Sequence, residues 1–191
     1  VGDNPSLLSF ENAVTLFHEF GHAMHGILTD VTYGSMAGTS GPRDFIELPS
    51  QLLEHWVSEP EVLKSFATHY KTGETIPDEL IEKLLKAGKF NQGFINTEYL
   101  AASLLDMDWH TMSLKDAKNI SNNFEKNSMN NIGLIDEIAP RYRSTYFAHI
   151  FSGGYSSGYY SYVHAAVLDS DAFEAFKDCL LYTSPSPRDV L

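Results

Sequence analysis

The residues able to do chemistry lie closest together in HEFGHAMH, His18–His25, within a largely apolar run from Val14 to Leu28. The stretch contains the pattern His-Glu-x-x-His. On an α-helix, residues four apart lie one above the other, about 6 Å apart along the axis. His18 and His22 can then offer two imidazole nitrogens to one zinc ion at roughly 2.0–2.1 Å. Glu19 points off that line, and its carboxylate can reach a metal-bound water without binding the ion itself. Zinc-assisted hydrolysis is the chemistry this spacing supports. Ordinary residue usage would place these three residues so on the order of once in a few tens of thousands of positions, which makes coincidence a poor account.

Such a motif needs a helix to carry it and a second element to complete it. Ser9 is a good N-cap, and Leu16, Phe20, Ala23 and Ile27 recur at helical spacing. Gly21 costs helix propensity, so its place inside the motif predicts close packing of another element. A catalytic zinc takes three protein ligands and keeps one position open. His25 shares the face, but seven residues put it about 10.5 Å along the axis from His18, too far for the same ion. It is read as a polar residue hydrogen-bonded near the site. The longer pattern H-E-x-x-H-x-x-G-x-x-H fails too, since His25 stands where Gly is required and Leu28 where the last His is. A carboxylate on a second helix remains. In GPRDFIELPSQLLEHW, Asp44 and Glu47 have capping-box spacing, and Pro49 falls near the first turn. Leu48, Leu52, Leu53 and Trp56 then supply an apolar face. Glu47 suits the third position, but spacing alone does not choose among Glu47, Glu54 and Glu59.

A second informative stretch is RYRSTYFAHIFSGGYSSGYYSYVHA, which reads as a conformationally free loop rich in donors. Gly153, Gly154 and Gly158 permit unusual backbone, while His149, Tyr155, Tyr159, Tyr160 and Tyr162 carry polar tips on large rings. Amide hydrolysis passes through an oxyanion that a phenol or imidazolium donor stabilises. On spacing alone an aromatic core or a surface loop is the simpler account. Arg141 and Arg143 could meet a terminal carboxylate, yet a surface role is the better reading for both. His55, His69 and His110 have no partner at ligand spacing and read as solvated or core residues.

HEFGHAMHGIL followed by GTSGPRDFIELPSQLLEHW, with FNQGF, YLAAS and HIFSGGYSSGYYSY further on, resembles the thimet-oligopeptidase family of zinc metallopeptidases. The wording is nearest its bacterial peptidyl-dipeptidase (dipeptidyl carboxypeptidase) branch, and the resemblance covers nearly all of residues 1–178. It implies a Glu ligand on the helix after the motif, which is Glu47, so that one zinc ion is held by His18, His22 and Glu47. It implies Glu19 as the general base. It implies a His, a Tyr after a Gly pair and a Tyr seven residues further on opposite the zinc, here His149, Tyr155 and Tyr162. The implied activity is hydrolysis of short oligopeptides, releasing C-terminal dipeptides. Glu54, one helical face along from Glu47, is expected to orient a ligand histidine.

Composition suits a domain with a core: 191 residues, 43% apolar and 13% aromatic. A net charge of −12 argues against nucleic acid and anionic membranes as partners. No run approaches the length of a membrane span and no signal peptide is evident. The expected fold is mainly α, a helical zincin-like catalytic core, because helical spacing and N-caps recur while period-two alternation is weak. Helices are expected from Pro60 to about Tyr70, from Pro77 to Ala87 and through FNQGFINTEYLAASLLDMDWH, with Leu100, Leu104, Leu105 and Met107 as core. The Asn-rich stretch from Asn119 to Asn131 reads as a surface segment. The loop with Gly34, Gly38 and Gly41 reads as a connector.

Residues 1–178 are read as the catalytic core of a larger, monomeric, cytoplasmic peptidase, incomplete at both ends. Residues 179–191 are read as sequencing-adapter read-through rather than native sequence, because CLLYTSPSPRD matches one frame of a transposase adapter and stops a helical pattern abruptly. The single cysteine lies there and says nothing of redox compartment. The competing readings are a zinc- or peptide-binding domain without turnover and a fragment that does not fold alone.

Overall fold

The computed structural model describes residues 5–178, and the expectation for 179–191 lies outside the described residues. Nine α-helices follow one another among them: α1 (Phe10–Ile27), α2 (Arg43–Ser58), α3 (Pro60–Phe66), α4 (Asp78–Ala87) and α5 (Gln92–Thr111) come first. Then come α6 (Leu114–Lys118), α7 (Phe124–Asn131), α8 (Ala148–Phe151) and α9 (Ser161–Asp178). The described residues contain no strand beyond one isolated bridge, Thr68 to Thr75. The chain is mainly α, as its spacing predicts. It divides into two compact units, one of residues 5–88 with 165–178, the other Lys89–His164. No helix among the described residues is long and apolar enough to cross a membrane.

In the first unit, α1 starts where the capping residues put it. The Ser9 hydroxyl accepts the Asn12 N–H at 3.1 Å, and the Asn12 side chain accepts the Ser9 N–H at 3.3 Å. Gly21 is the buried residue of α1, and the reason is contact with α2. A Cβ there would lie 2.5 Å from Ser50 Cα and 2.6 Å from the Pro49 carbonyl oxygen. The two helices therefore meet backbone to backbone, as the Gly inside the motif predicts. Helix α2 begins at Arg43 with Pro42 as its N-cap, so Asp44 does not cap it and Pro49 sits in the interior rather than near the first turn. An interior proline removes a helix hydrogen bond. Here the Pro49–Ser50 backbone is the surface onto which Gly21 closes.

The apolar stripe Leu16, Phe20 and Ile27 lies on another side of α1, where these residues are 58%, 54% and 72% exposed. Leu16, Phe17 and Phe20 join Leu53, Trp56 and Val62 around an apolar groove of about 550 Å³. Helix α3 stops at Phe66, short of the expected Tyr70. The chain folds back there, with the His69 N–H donating to Glu74 O and the Ile76 N–H to Ala67 O. Helix α9, from Ala165 on, docks through Phe173, which stacks on His55 and meets Trp56 edge-on. His55 Nε2 lies 2.8 Å from the buried Asp169 carboxylate.

The second unit builds its core on α5. Ala101, Ala102 and Leu105 are buried, whereas Leu100, Leu104 and Met107, expected in the core, are exposed. Packing follows the small side of the helix, because alanine lets neighbouring elements approach closely. The Asn-rich stretch is more than a surface segment: it contains α7, whose Ser128 and Met129 are buried. Ser128 donates its hydroxyl to Asp108 at 2.6 Å. Glu125 accepts the Ser144 N–H at 2.7 Å and pairs with Arg143. Burial raises the Glu125 pKa, but the Ser144 hydrogen bonds and Arg143 outweigh it and leave the carboxyl below its ordinary value of 4.5.

Candidate active site

His18 and His22 lie one turn apart on the side of α1 that faces α2. Their rings meet edge-on, centroids 4.9 Å apart. Glu47 enters from α2 as a nearly fully buried carboxylate, 1% exposed. Its Oε2 lies 3.4 Å from His18 Nε2 and 3.4 Å from His22 Nε2. Ser50, one turn on, donates its hydroxyl to the same oxygen at 3.0 Å and to the Glu47 carbonyl at 2.9 Å. The close approach at Gly21 and Ser50 thus sets the spacing of the three ligand candidates.

One donor atom from each of the three residues falls within 4.8 Å of the others, and among the described residues this is the one such group. The donor set fits a zinc ion. Two ligand atoms each at about 2.0–2.1 Å from a tetrahedral zinc stand about 3.3–3.4 Å apart, the separation seen twice here. The site also draws positive charge. Hydrogen bonding to Glu47, then to Glu54, pushes the His18 imidazole up to about 10 against the opposing effect of burial. Glu54 Oε1 lies 2.6 Å from His18 Nδ1, so the carboxylate fixes which ring nitrogen faces the cluster.

Glu19, the residue after His18, is exposed and stands outside the cluster. His25 is not drawn in either. Its ring meets Phe45 edge-on at 6.0 Å, and its buried Nδ1 finds no hydrogen-bond partner among the described residues, against the expectation of one. Glu59 is the C-cap of α2 and is not part of the group. His69 contacts Thr72, His110 contacts Asp106, and neither is part of the ligand group.

The residues picked from the Gly/Tyr stretch gather in the second unit. His149 is on α8, and its ring lies 6.1 Å from Tyr155 and 6.2 Å from Tyr162. Tyr155 and Tyr162 stack at 5.4 Å and 21°. Tyr159 lies among them, 2% exposed, and burial first of all raises its pKa, so it stays a neutral core phenol. The stretch is not one free loop. Tyr162 sits in the first turn of α9, and the span before it is closed by the Tyr155 N–H to His149 O bond at 2.9 Å. Arg141 lies over the Tyr99 ring at 4.4 Å. Two supporting residues were not legible as such. Nothing in its type or spacing separates Ser50 from an ordinary helix residue. Asp106 is fully buried, and its signal is an acid inside the apolar run AASLLDM with a His four residues on.

The profile of Peptidase family M3 matches residues 1–182. The chain belongs to peptidase family M3. Among curated relatives of this M3 chain, the dipeptidyl carboxypeptidase of Escherichia coli (strain K12) is 45% identical over 90% of the chain and 25% of its own length. Oligopeptidase A of the same organism is 38% identical over 93% of the chain and 26% of its length. Saccharolysin of Saccharomyces cerevisiae is 39% identical over 90% and 24%. The M3 chain thus spans about a quarter of the length of the relatives it matches.

Proposed function

We propose that the M3 chain carries the catalytic centre of a zinc-dependent peptidase that cleaves short oligopeptides and releases C-terminal dipeptides. The observation that carries the reading is the His18, His22 and Glu47 cluster, with its paired 3.4 Å separations across two helices. These three residues would hold the zinc. When bound, zinc polarises the scissile carbonyl and lowers the pKa of a water toward about 7. Glu19 accepts a proton from the attacking water and passes it to the leaving amine. Glu54 keeps the His18 ring oriented through its contact with Nδ1. Tyr155 and Tyr162, with His149, donate hydrogen bonds to the oxyanion. Their gathering into one aromatic cluster supports that role.

Dipeptide release is favoured by the name of the 45% identical relative, dipeptidyl carboxypeptidase. Endopeptidase action is the second reading, since relatives at 36–40% identity are named oligopeptidase A, a name that does not specify dipeptide release. A quenched peptide with a free C-terminus and the same peptide amidated separate the two, since only the first is cut by an enzyme that counts from a carboxylate. The proposal extends to a cytoplasmic monomer.

The decisive test uses the full-length protein that carries this segment. Glu19→Gln keeps size and shape but cannot accept the proton. Zinc content should equal the parent's, while turnover falls by ~10²–10⁴-fold. Parent-rate cleavage by Glu19→Gln with zinc bound would overturn the mechanism. A parent that binds zinc and peptide without cutting would make the chain a binding domain.

A further inference from the structure

Asp106 is a carboxylate with no exposed surface in the middle of α5, and none of the chemistry above uses it. A carboxyl so placed needs hydrogen bonds to both its oxygens. Both have them, and the donors are informative. Oδ1 accepts the backbone N–H of Ser157 at 3.0 Å, and Oδ2 accepts the backbone N–H of Tyr159 at 2.9 Å. His110 Nδ1 lies 2.7 Å from Oδ1 and 2.9 Å from the Asp106 carbonyl oxygen. One side chain on a regular helix thus clamps two alternate amides of the turn between Tyr155 and Tyr162.

The turn needs a clamp. Ser157 has φ of 55°, a left-handed conformation that an L side chain rarely adopts unless its surroundings hold it there. The rest of the span is closed on itself. The Gly158 N–H donates to Tyr155 O at 2.8 Å, and the Ser156 hydroxyl donates to Ile150 O at 2.6 Å. At Gly153 a Cβ would lie 2.9 Å from both Cα and O of His149, so the chain passes directly over the histidine backbone. What ties this closed turn to α5 at Ser157 and Tyr159 is the Asp106 carboxylate.

We propose that Asp106, backed by His110, is the positioning residue that fixes where Tyr155 and Tyr162 present their hydroxyls; this rests on the reading of those tyrosines as donors to the oxyanion. A donor displaced by about 1 Å can cost about 100-fold in rate while substrate still binds, so such a clamp acts on kcat and not on KM.

The test is a mutant cycle in the full-length protein. Asp106→Asn keeps the shape but turns one accepting oxygen into an amide that cannot accept. Expected are a kcat lowered by about 10- to 100-fold, KM within about 2-fold, parent zinc content, and faster deuterium exchange at the Ser157 and Tyr159 amides. Added to the Tyr155→Phe/Tyr162→Phe pair, Asp106→Asn should cost little more, since both hydroxyls it places are already gone; losses that multiply would mean independent action. A parent kcat in Asp106→Asn, or multiplying losses when it is added to the variant lacking both tyrosine hydroxyls, overturns the proposal. If Asp106→Asn gives no cooperative melt, His110→Ala carries the same cycle, with a kcat loss of about 3- to 10-fold and the same lack of additivity. Parent rates in both Tyr155→Phe and Tyr162→Phe would sink the donor reading and this role with it. That failure is read from the tyrosine variants, whereas failure of the clamp alone leaves them impaired and Asp106→Asn intact.

Discussion

In the first unit, three ligand candidates come from two regular helices, and the only special requirement is that their backbones touch at Gly21. In the second unit, three candidates come from a short helix, a turn with a left-handed serine and the first turn of α9, tied together by side-chain acceptors. Helical geometry repeats, so four residues of spacing in the first unit already specify that the two histidines converge. Turn geometry does not repeat. There the turn after Tyr155 is held at Ser157 by a carboxylate about fifty residues earlier in the chain.

The contrast can be broken most directly at Glu47. Glu47→Ala removes a proposed ligand and should leave the full-length protein with substoichiometric zinc and activity near background. Glu54→Ala removes only the support of His18 and should weaken zinc by about 10- to 100-fold, leaving a zinc-loaded enzyme that still cuts. Metal analysis after dialysis separates them, and equal zinc in Glu47→Ala and parent would take Glu47 out of the ligand set. The tyrosine cluster predicts the opposite signature. Tyr162→Phe keeps the ring in its stack with Tyr155 and loses one hydroxyl, so zinc content should stay at parent level while kcat falls by ~10²–10³ with little change in KM. A change in KM alone would assign Tyr162 to substrate binding instead.

That division also marks what was readable beforehand. The capped start of α1, the convergence of His18 and His22 and the tight crossing at Gly21 followed from Ser9, the four-residue spacing and a glycine where helices disfavour one. The choice of Glu47 over Glu54 did not, because both lie on α2 about two turns apart and both reach His18: one oxygen stands near Nε2, the other near Nδ1. Nor did the start of α2, since Asp44 has the chemistry of a cap and Pro42 took the place. The core of α5 was misjudged because Leu100 and Leu104 are apolar but lie on a face that the described residues leave open, while Ala101 and Ala102 make the contact. Tyr162 was assigned to a loop because glycine and serine dominate the residues just before it. The burial of Asp106 is not legible in the sequence, because an acid in a helix is ordinarily solvated.

The crossing itself can be probed without touching a ligand. Gly21→Ala would place a methyl 2.5 Å from Ser50 Cα, which is backbone and cannot swing away. The helices must part, at a cost of about 1–3 kcal/mol or more. The same displacement widens the gap between the histidines and Glu47, so thermal stability and zinc affinity should fall together. A lowered melting temperature with unchanged zinc affinity would show that the crossing sets stability but not the metal site.

The smallest effect belongs to the second unit and reads its acid sensitivity. Glu125 is held below its ordinary value of 4.5 because hydrogen bonds from Ser144 and the pairing with Arg143 outweigh burial. A carboxyl whose folded pKa is depressed contributes stability that is fully present above the unfolded value. That contribution fades as pH falls through the folded value. Glu125→Gln retains an acceptor for the Ser144 N–H but carries no charge for Arg143, so at neutral pH it should cost about 1 kcal/mol or less. The difference in melting temperature between parent and variant should hold steady from pH 7 to about 5 and shrink as the solution is acidified below 4.5. Because the variant differs at one titrating group, the many other carboxylates cancel in that difference. A gap that stays constant down to pH 3 would mean that Glu125 is ionised alike in the folded and unfolded chain. The tie from α7 to the segment before α8 would then rest on the Ser144 hydrogen bond alone.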